Sequence, residues 1–370
     1  MYKVLLETNI PTPYRLALFH FLQKHSKEYE ICVLYVANSV DNRKWNVDKR
    51  KLINTHFVDS KIVARKSKFD TNHTFIPTSI FSCLNRIDPD VLIAWEYGPA
   101  AVMSWIWSKI KRKKYINLTD GTIYSERHIN IGQKLTRKLI IPHSDAAIAS
   151  STKAKEKLIK WGIKEDKVFI SLLTTDMDQW KGIQRKTVSG RILYVGSMIE
   201  RKGIDLLIDA LKQVSCDFTL HIVGNGTEEE KAELEKRIKT AELYEKIKLC
   251  GFKEGAELVE EFAEAEVFVL PTREDCFGLV LLEALCAEIP IISSKYADGA
   301  YDIIEEGNNG LLVDPYNAEE FALYIEKVLK KEIHLKGKQD QIVKKFTFEN
   351  VSKGYFEAIR FVMNAEVRKD

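Results

Sequence analysis

At 370 residues the chain exceeds the roughly 250–300 residues at which a single hydrophobic core stops growing, so two domains are expected. Its composition, 45% hydrophobic and 29% charged, is that of a folded globular protein and excludes a low-complexity chain. No stretch approaches the 18 or more apolar residues of a membrane-spanning helix, and the six cysteines form no C-x-x-C pair. These features favour reduced thiols and a cytoplasmic protein, without a zinc site or a disulfide framework.

The net charge of +3 is divided unevenly along the chain. Residues 1–180 hold 29 Lys and Arg against 18 Asp and Glu, whereas the remainder holds 27 against 35. This asymmetry favours an anionic partner for the first half, although a solvated surface of lysines explains it equally well.

The first half alternates short apolar runs with segments of helical periodicity, which predicts a parallel sheet covered on both faces. The predicted strands are 3–8, 30–36, 91–95, 114–119 and 146–150, and the predicted helices are 14–25, 98–110 and 152–161.

The second half repeats this plan after a polar, aperiodic segment, 174–190, which we interpret as the domain boundary. Its predicted strands are 191–197, 218–224, 246–251, 267–272 and 289–294, with helices at 203–213, 228–240, 256–264, 279–287 and 317–330, and a turn and short strand at 307–314. The fold class is therefore α/β, with two doubly wound domains in series that we expect to face a central cleft.

The predicted strand ends of the second half suit a nucleotide. Gly196 and Ser197 end one strand, and Arg201-Lys202-Gly203 begin the next helix, so cations and free backbone N–H groups meet as in phosphate sites. A βα loop with basic surface residues is the alternative. Gly224 and Asn225 would let a ligand approach the backbone, and Gly251 with Phe252 would suit a nucleobase unless Phe252 is a core residue.

The segment 273–284, REDCFGLVLLEA, places one acid in a turn and another on a helix. Asp275, or its neighbour Glu274, would accept hydrogen bonds from sugar hydroxyls. Glu283 would bind the two hydroxyls of a ribose, because a carboxylate offers two acceptor oxygens. The turn between these acids contains Cys276, and the backbone N–H groups of Phe277, Gly278 and Leu279 would face phosphate. An acid beside a helix dipole is the simpler explanation.

These motifs resemble, in order and spacing, the donor half of retaining GT-B glycosyltransferases of family four. The match runs from Gly196 and Lys202-Gly203 through Gly224-Asn225-Gly226 to PTREDCFGLVLLEALCAEIPII, which is similar to the family's E-x7-E hallmark. The resemblance implies a GT-B fold of two Rossmann-like domains. Residues 1–177 would bind the acceptor, residues 178–345 would bind the nucleotide sugar, and a C-terminal helix at about 346–366 would pack back on the first domain.

The resemblance also implies an activity, namely retaining transfer of a hexosyl group from a nucleotide-diphosphate sugar, a UDP sugar, without metal or other cofactor. Lys202, Asp275, Glu283 and Asp120 would be the catalytic residues. Four departures matter: Asp275 replaces the usual Glu, Cys276 replaces Gly, Glu288 replaces the Gly before Ile-Pro, and Ser197 replaces Arg. The diphosphate would then depend on Lys202, with Arg201 as a substitute.

The first domain matches the family less closely. Pro13, Tyr14 and Arg15 replace the glycine-rich acceptor loop and would form a proline-stiffened turn at a helix start. Asp120 and Gly121 stand where many members have His, and Asp120 would touch the sugar or acceptor unless it is a helix N-cap. His128, beside Tyr124 and Arg127, is a secondary candidate.

The segment WIWSKIKRKKY, 105–115, predicts contact with an anionic membrane. Trp105, Trp107 and Ile110 would anchor it, and the cations from Lys109 to Lys114 would meet head groups; a core helix ending in cations is the alternative.

The expected acceptor is a lipid-linked glycan or oligosaccharide at the inner face of the cell membrane, in polysaccharide or glycoconjugate synthesis. Nucleic acid is not expected. A nucleotide-sugar 2-epimerase and a non-catalytic carbohydrate-binding or nucleotide-sugar-binding protein are the alternatives.

Overall fold

The computed structural model describes residues 1–38, 49–66, 71–180, 182–336 and 340–367. These residues form two compact units, of which one runs to Asp176 and includes the chain again from Lys345, and the other runs from Met177 to Lys344. We call them the first and the second domain.

The first domain is built on a seven-stranded parallel sheet with strand order β3-β2-β1-β6-β7-β8-β9. Its elements are β1 (Tyr2–Thr8), α1 (Pro13–His25), β2 (Tyr29–Tyr35), β3 (Thr55–Phe57), β4 (Ser60–Lys66), β5 (Thr71–Pro77), α2 (Ile80–Ile87), β6 (Val91–Trp95), α3 (Pro99–Lys111), β7 (Lys114–Thr119), α4 (Ile131–Ile140), β8 (Ala146–Ala149), α5 (Thr152–Lys160) and β9 (Val168–Ile170). Strands β4 and β5 pair separately as an antiparallel hairpin.

Successive side chains of β1 pack on opposite faces of this sheet, as the two-residue period of a strand requires. Leu5 belongs to one buried cluster, whereas Val4 and Leu6 belong to the cluster on the other side. All five strands predicted for this half are therefore confirmed as fully covered parallel strands. The short strand β9, the hairpin and helices α2 and α4 were not predicted.

The second domain has a six-stranded parallel sheet with order β12-β11-β10-β13-β14-β15. Its elements are β10 (Arg191–Val195), α6 (Ile204–Leu211), β11 (Thr219–Val223), α7 (Glu228–Thr240), β12 (Ile247–Gly251), α8 (Gly255–Glu264), β13 (Val267–Leu270), α9 (Leu279–Cys286), β14 (Ile291–Ser294), α10 (Ala300–Ile303), β15 (Gly310–Val313), α11 (Ala318–Leu329) and α12 (Asp340–Lys345). The predicted helix 228–240 is confirmed at both ends, because a capping box between Thr227 and Glu230 fixes its start.

In both sheets the chain order reverses beside the first strand. In the second domain β10 lies between β11 and β13, and in the first domain β1 lies between β2 and β6. Crevices at the carboxyl ends of strands open at such switch points, and this is where ligands bind in doubly wound folds.

The C-terminal helix α13 (Phe348–Val367) packs against the sheet of the first domain. Its buried face carries Val351, Tyr355, Ala358, Ile359 and Val362, at the spacing of an amphipathic helix. The Ser171 hydroxyl donates to the Val351 carbonyl at 2.8 Å, and the Thr174 hydroxyl donates to the Phe346 carbonyl at 2.5 Å.

The segment 105–115 does not form one amphipathic anchor. Trp107 is 1% exposed, and its indole N–H donates to the Asn85 Oδ1 at 3.0 Å, so its predicted role as a membrane anchor is wrong. Helix α3 ends at Lys111, and Lys114 already begins β7. None of the helices in the described part of the chain has the length and apolarity needed to cross a membrane.

Helix α13 approaches β9 closely enough to require a glycine. A Cβ at Gly354 would lie 2.3 Å from the Ile170 carbonyl oxygen. We expect Gly354→Val to lower the free energy of unfolding of the first domain by about 1–3 kcal/mol, because backbone must move to admit the side chain. Urea unfolding followed by circular dichroism measures the change. Gly98→Ala is the control, since a Cβ there meets no atom within 4 Å; equal stability of the two variants would contradict the close approach.

Candidate functional site

Two loops meet at the switch point of the second domain, one after β10 and one after β13. Gly203 has φ +71°, and a Cβ there would lie 2.1 Å from the Pro271 carbonyl oxygen. The Arg273 N–H donates to the Arg201 carbonyl at 2.8 Å, and the Thr272 hydroxyl donates to the same carbonyl at 3.0 Å. Residues about seventy positions apart are thus held side by side.

Lys202 and Asp275 join these loops through an ion pair. The Lys202 ammonium donates to Asp275 Oδ2 at 2.5 Å, and an Arg201 nitrogen lies 4.0 Å from the same oxygen. Asp275 Oδ1 accepts from the N–H groups of Phe277 at 3.2 Å and Gly278 at 3.0 Å. Burial would raise the pKa of Asp275, but Lys202, Arg201 and these bonds hold it at about 2. Asp275 is therefore an anion across the neutral pH range.

The amides of Phe277 and Gly278 thus donate to Asp275, whereas the sequence predicted that they would face phosphate. Gly278 has φ +77° and stands directly before α9, which begins at Leu279. Cys276 is partly buried in the same turn. The Arg201 guanidinium donates to the Glu274 carbonyl at 3.0 Å, so this cation also contributes to the shape of the turn.

A buried arginine that the sequence analysis missed fixes the same turn. Arg273 donates to both carboxylate oxygens of Asp205 at 2.7 and 2.6 Å, and to the Glu200 carbonyl at 2.6 Å. Bidentate pairs of this kind are geometrically specific. Its place three residues after the buried strand β13 was the available signal.

Glu283 lies one to two turns into α9 and has no hydrogen-bond partner for its carboxylate within the described parts of the chain. Burial raises the pKa of Glu283 to about 7. This carboxylate is thus available for two hydroxyl donors, as a ribose would supply.

The other residues predicted to bind the donor lie at the carboxyl ends of β10, β11 and β12, which are neighbours in the sheet. A Cβ at Gly224 would lie 1.9 Å from the Gly196 carbonyl oxygen, so the ends of β10 and β11 require a glycine here. Gly251 has φ +70° at the end of β12, and Phe252 beside it is 55% exposed, which excludes the core alternative. The side chains of Ser197 and Asn225 are also exposed.

In the first domain, Arg15 and Asp120 come together near the carboxyl ends of β1 and β7. Arg15 is buried, forms an ion pair with Asp120, donates to the Thr8 hydroxyl at 3.2 Å and stacks 4.2 Å from the Trp95 ring centroid. The Trp95 indole N–H donates to Asp120 at 3.0 Å. The N-cap alternative for Asp120 is wrong, because the next helix, α4, begins at Ile131 and is capped by Asn130.

A small pocket opens beside this pair. It is lined by Tyr14, Arg15, Leu18, Leu118, Asp120, Ser150, Ser171, Leu172, Leu173, Thr174 and Tyr355. Pro13, at the start of α1, is exposed and is not part of the lining. Arg15 therefore contacts the pocket from inside the domain, which excludes a solvated helix residue.

Behind Asp120 lies a buried network that the sequence did not reveal. Glu96 accepts from the N–H groups of Asp120 at 2.7 Å and Gly121 at 3.1 Å, with its own φ at +61°. Lys157 is completely buried; it donates to the Thr119 hydroxyl at 2.7 Å and to Glu126 at 3.0 Å. A Cβ at Gly121 would lie 2.5 Å from Glu126, so this glycine accommodates the network.

His128 takes no part in this network and is exposed. The neighbouring Arg127 stacks 3.7 Å from the Tyr124 ring centroid and donates to the Tyr124 carbonyl at 2.6 Å. This arrangement gives His128 no catalytic partner among the described residues.

Residues 177–346 match the family described as glycosyl transferases, group 1. Among curated relatives, the amylovoran biosynthesis glycosyltransferase AmsK of Erwinia amylovora is 26% identical over 242 residues, covering 62% of this chain and 59% of that protein. The lipopolysaccharide 1,6-galactosyltransferase of Escherichia coli K12 is 26% identical over 257 residues, covering 68% and 69%. The match therefore spans about three fifths of AmsK.

Two solved structures are similar over almost the whole chain. The apo form of the lipopolysaccharide outer core galactosyltransferase WaaB has a TM-score of 0.73 at 18% identity, covering 96% of this chain and 99% of that chain. HepE of Anabaena in complex with UDP-glucose has a TM-score of 0.73 at 18% identity, covering 97% and 100%. At this identity the similarity establishes the fold.

The raised pKa of Glu283 predicts a pH-dependent stability. Between pH 4.5 and 7 the folded state keeps a proton that the unfolded chain has lost, so stability falls as the pH rises through this window. We expect Glu283→Gln to unfold like the wild type at pH 4 and to be more stable by about 1–3 kcal/mol at pH 8. Urea unfolding at several pH values tests this. The exposed Glu235→Gln on α7 is the control, and a constant difference at all pH values would refute the assignment.

Proposed function

Because the second domain belongs to the group 1 glycosyl transferases and the whole chain has the GT-B fold, we propose a specific transfer for this glycosyltransferase. It moves a hexosyl group from a nucleotide-diphosphate sugar, a UDP sugar, to a hydroxyl of a glycan acceptor, with retention of anomeric configuration. The observation that carries this proposal is the Lys202–Asp275 pair, with Arg201 beside it, at the switch point of the second domain.

The charge at this point suits a diphosphate. Two cations, Lys202 and Arg201, lie beside the carboxylate of Asp275. A diphosphate that enters would take hydrogen bonds from Lys202, which the ion pair already holds in place. Preorganised cations of this kind stabilise the negative charge that develops on a leaving group.

The donor would lie along the edge formed by β12, β11, β10 and β13. Phe252, exposed beside Gly251, would contact the base, and Glu283 would bind the ribose hydroxyls. The diphosphate would lie near Gly196 and Lys202. The sugar would then reach the turn that contains Glu274 and Asp275.

The Asp275 carboxylate is engaged by Lys202 and by the amides of Phe277 and Gly278, so we favour attack on the same face from which the nucleotide leaves. The acceptor oxygen forms a bond to the anomeric carbon while the bond from that carbon to the phosphate oxygen breaks. The acceptor's proton passes to the departing phosphate, so atoms and charge balance without a metal ion.

The acceptor would use the pocket beside Asp120. We propose that Asp120 accepts from an acceptor or sugar hydroxyl, while Arg15 and Trp95 position its carboxylate. Tyr14 would contact the acceptor directly, with Pro13 stiffening the turn. The names of AmsK, an amylovoran biosynthesis glycosyltransferase, and of the lipopolysaccharide galactosyltransferase support a glycan acceptor. We propose that this acceptor is lipid-linked or an oligosaccharide, in cell-surface polysaccharide or glycoconjugate synthesis.

Removing the Lys202 ammonium tests the proposed donor site. We expect Lys202→Ala to lower kcat about 10²–10³-fold, because the leaving diphosphate loses its main counter-charge. Lys239→Ala, an exposed lysine on α7, should keep wild-type activity. UDP release from UDP sugars, with a panel of lipid-linked and free oligosaccharides, provides the measurement. Wild-type turnover by Lys202→Ala would place the diphosphate elsewhere.

The two alternatives give different products in the same assay. A nucleotide-sugar 2-epimerase would convert the nucleotide sugar without any acceptor, and chromatography would show the epimer. A binding protein would show calorimetric binding of the nucleotide sugar without hydrolysis or transfer to any acceptor tested.

A membrane-facing surface is proposed on α4 instead of on the whole segment 105–115. Ile131, Leu135 and Leu139 are 76%, 60% and 47% exposed at positions i, i+4 and i+8, which places them on one face of the helix. Lys134 and Lys138 flank them. The neighbouring α3 adds Ile110, also exposed, and the cations of its last turn. Apolar side chains bordered by lysines suit the interface of an anionic bilayer.

We expect the double variant Ile131→Ser, Leu135→Ser to bind anionic phosphatidylglycerol vesicles about tenfold or more weakly, because two apolar side chains no longer insert. Leu323→Ser, an exposed leucine on α11, is the matched control. Vesicle co-sedimentation measures binding, which should also weaken as salt is added. Unchanged binding by the double variant would refute this surface.

A further inference from the structure

Three side chains with metal-ligating atoms converge in the second domain, apart from the residues assigned to the donor. They are His221 on β11, Cys250 on β12 and Glu261 on α8. A ring nitrogen, the thiol sulfur and a carboxylate oxygen all lie within 4.8 Å of one another. The residues are 29 and 11 positions apart, so sequence spacing could not reveal them; adjacent strands and the following helix bring them together.

A strand irregularity accompanies Cys250. The register between β11 and β12 shifts between Ile222 and Val223, which pair with Leu249 and Gly251, so Cys250 has no partner position. Such bulges change the direction of a side chain and recur at functional sites. The Cys250 thiol is partly exposed and donates weakly to the Lys248 carbonyl at 3.6 Å.

His221 provides the second observation. Its side chain is more than nine-tenths buried, and its Nδ1 lies 2.7 Å from Glu261 Oε2. Its Nε2 is buried and has no hydrogen-bond partner in the described part of the chain. Because Nδ1 is the ring nitrogen that faces Glu261, a metal ion shared by these two side chains would bind at Nδ1, and Nε2 lies on the other side of the ring. The other carboxylate oxygen of Glu261 accepts from Lys253.

We propose that His221, Cys250 and Glu261 bind a divalent transition-metal ion, for which zinc is the best chemical match. Imidazole, thiolate and carboxylate are its usual ligands, at roughly 2.0–2.3 Å, which places neighbouring ligand atoms about 3.3–3.7 Å apart. The distance between His221 Nδ1 and Glu261 Oε2 must therefore increase by less than about 1 Å, and the Cys250 sulfur must move closer to both atoms. The thiol proton of Cys250 and the Nδ1 proton that His221 shares with Glu261 are released to solvent, and a water completes the tetrahedron.

Lys253 opposes metal binding because its ammonium contacts the same carboxylate. Its side chain is partly exposed on a flexible stem, so it can turn into solvent when a cation arrives. The competing account is a plain chain of ion pairs from His221 through Glu261 to Lys253. That account needs no cysteine and predicts no metal affinity, so Cys250 distinguishes the two.

The test uses the full-length chain, with any affinity tag removed, stripped with EDTA and then given zinc. After desalting, bound zinc is measured with a chromophoric chelator. We expect one equivalent per chain in the wild type. Cys250→Ser and His221→Gln should bind zinc at least 100-fold more weakly. Cys216→Ser, a partly buried cysteine elsewhere in the domain, should retain the full equivalent, and Lys253→Ala should bind severalfold more tightly.

Cobalt substitution adds a spectroscopic measurement that does not depend on activity. The cobalt form should show a thiolate charge-transfer band that is present in the wild type and in Cys216→Ser but absent in Cys250→Ser. The proposal is overturned if the wild type retains no zinc after desalting, or if Cys250→Ser retains it. Should His221→Gln fail to fold by circular dichroism, Cys250→Ser decides alone, because its side chain is partly exposed.

Discussion

The contact on which the second domain's site depends is the ion pair between Lys202 and Asp275. It ties the loop after β10 to the loop after β13, the two strands whose order reverses beside each other. The glycine at 203 and the bidentate Arg273–Asp205 pair permit and maintain the approach of these loops. A cation that is held before a ligand arrives loses little further freedom on binding, which is the advantage of preorganisation in electrostatic catalysis.

In the first domain a different ion pair holds a charged side chain in place. Arg15 and Asp120 meet near the carboxyl ends of β1 and β7, and Trp95 contacts both. Here the carboxylate is the group at the pocket, and the buried arginine supports it from behind. Glu96 fixes the backbone after Asp120 by accepting two N–H groups. In each domain a buried or half-buried ion pair therefore orients the charged residue that we assign to the ligand.

The sequence predicted the strands and most helices, because buried parallel strands are continuous apolar runs and α7 carries its own capping box. It also assigned Gly196, Gly224, Gly251 and Asp275 to the ends of predicted strands, and the carboxyl ends of parallel strands share one edge of a sheet. Prediction from the sequence failed for residues whose burial depends on tertiary contacts. Lys157 has the pattern of a solvated helix residue yet is wholly buried, and Trp107 has the pattern of an anchor yet fills the core. His221, Cys250 and Glu261 are joined only by strand adjacency.

The length of the Asp275 side chain has a physical consequence for the sugar contact that we propose. An aspartate is short enough for Oδ1 to accept from the N–H groups two and three residues ahead, as observed at Phe277 and Gly278, whereas a glutamate would reach past them. Oδ1 is thus committed to the turn and Oδ2 to Lys202. In the transfer that we propose, a sugar hydroxyl could use only the remaining acceptor capacity of Oδ2, and this favours the neighbouring Glu274 for the sugar contact.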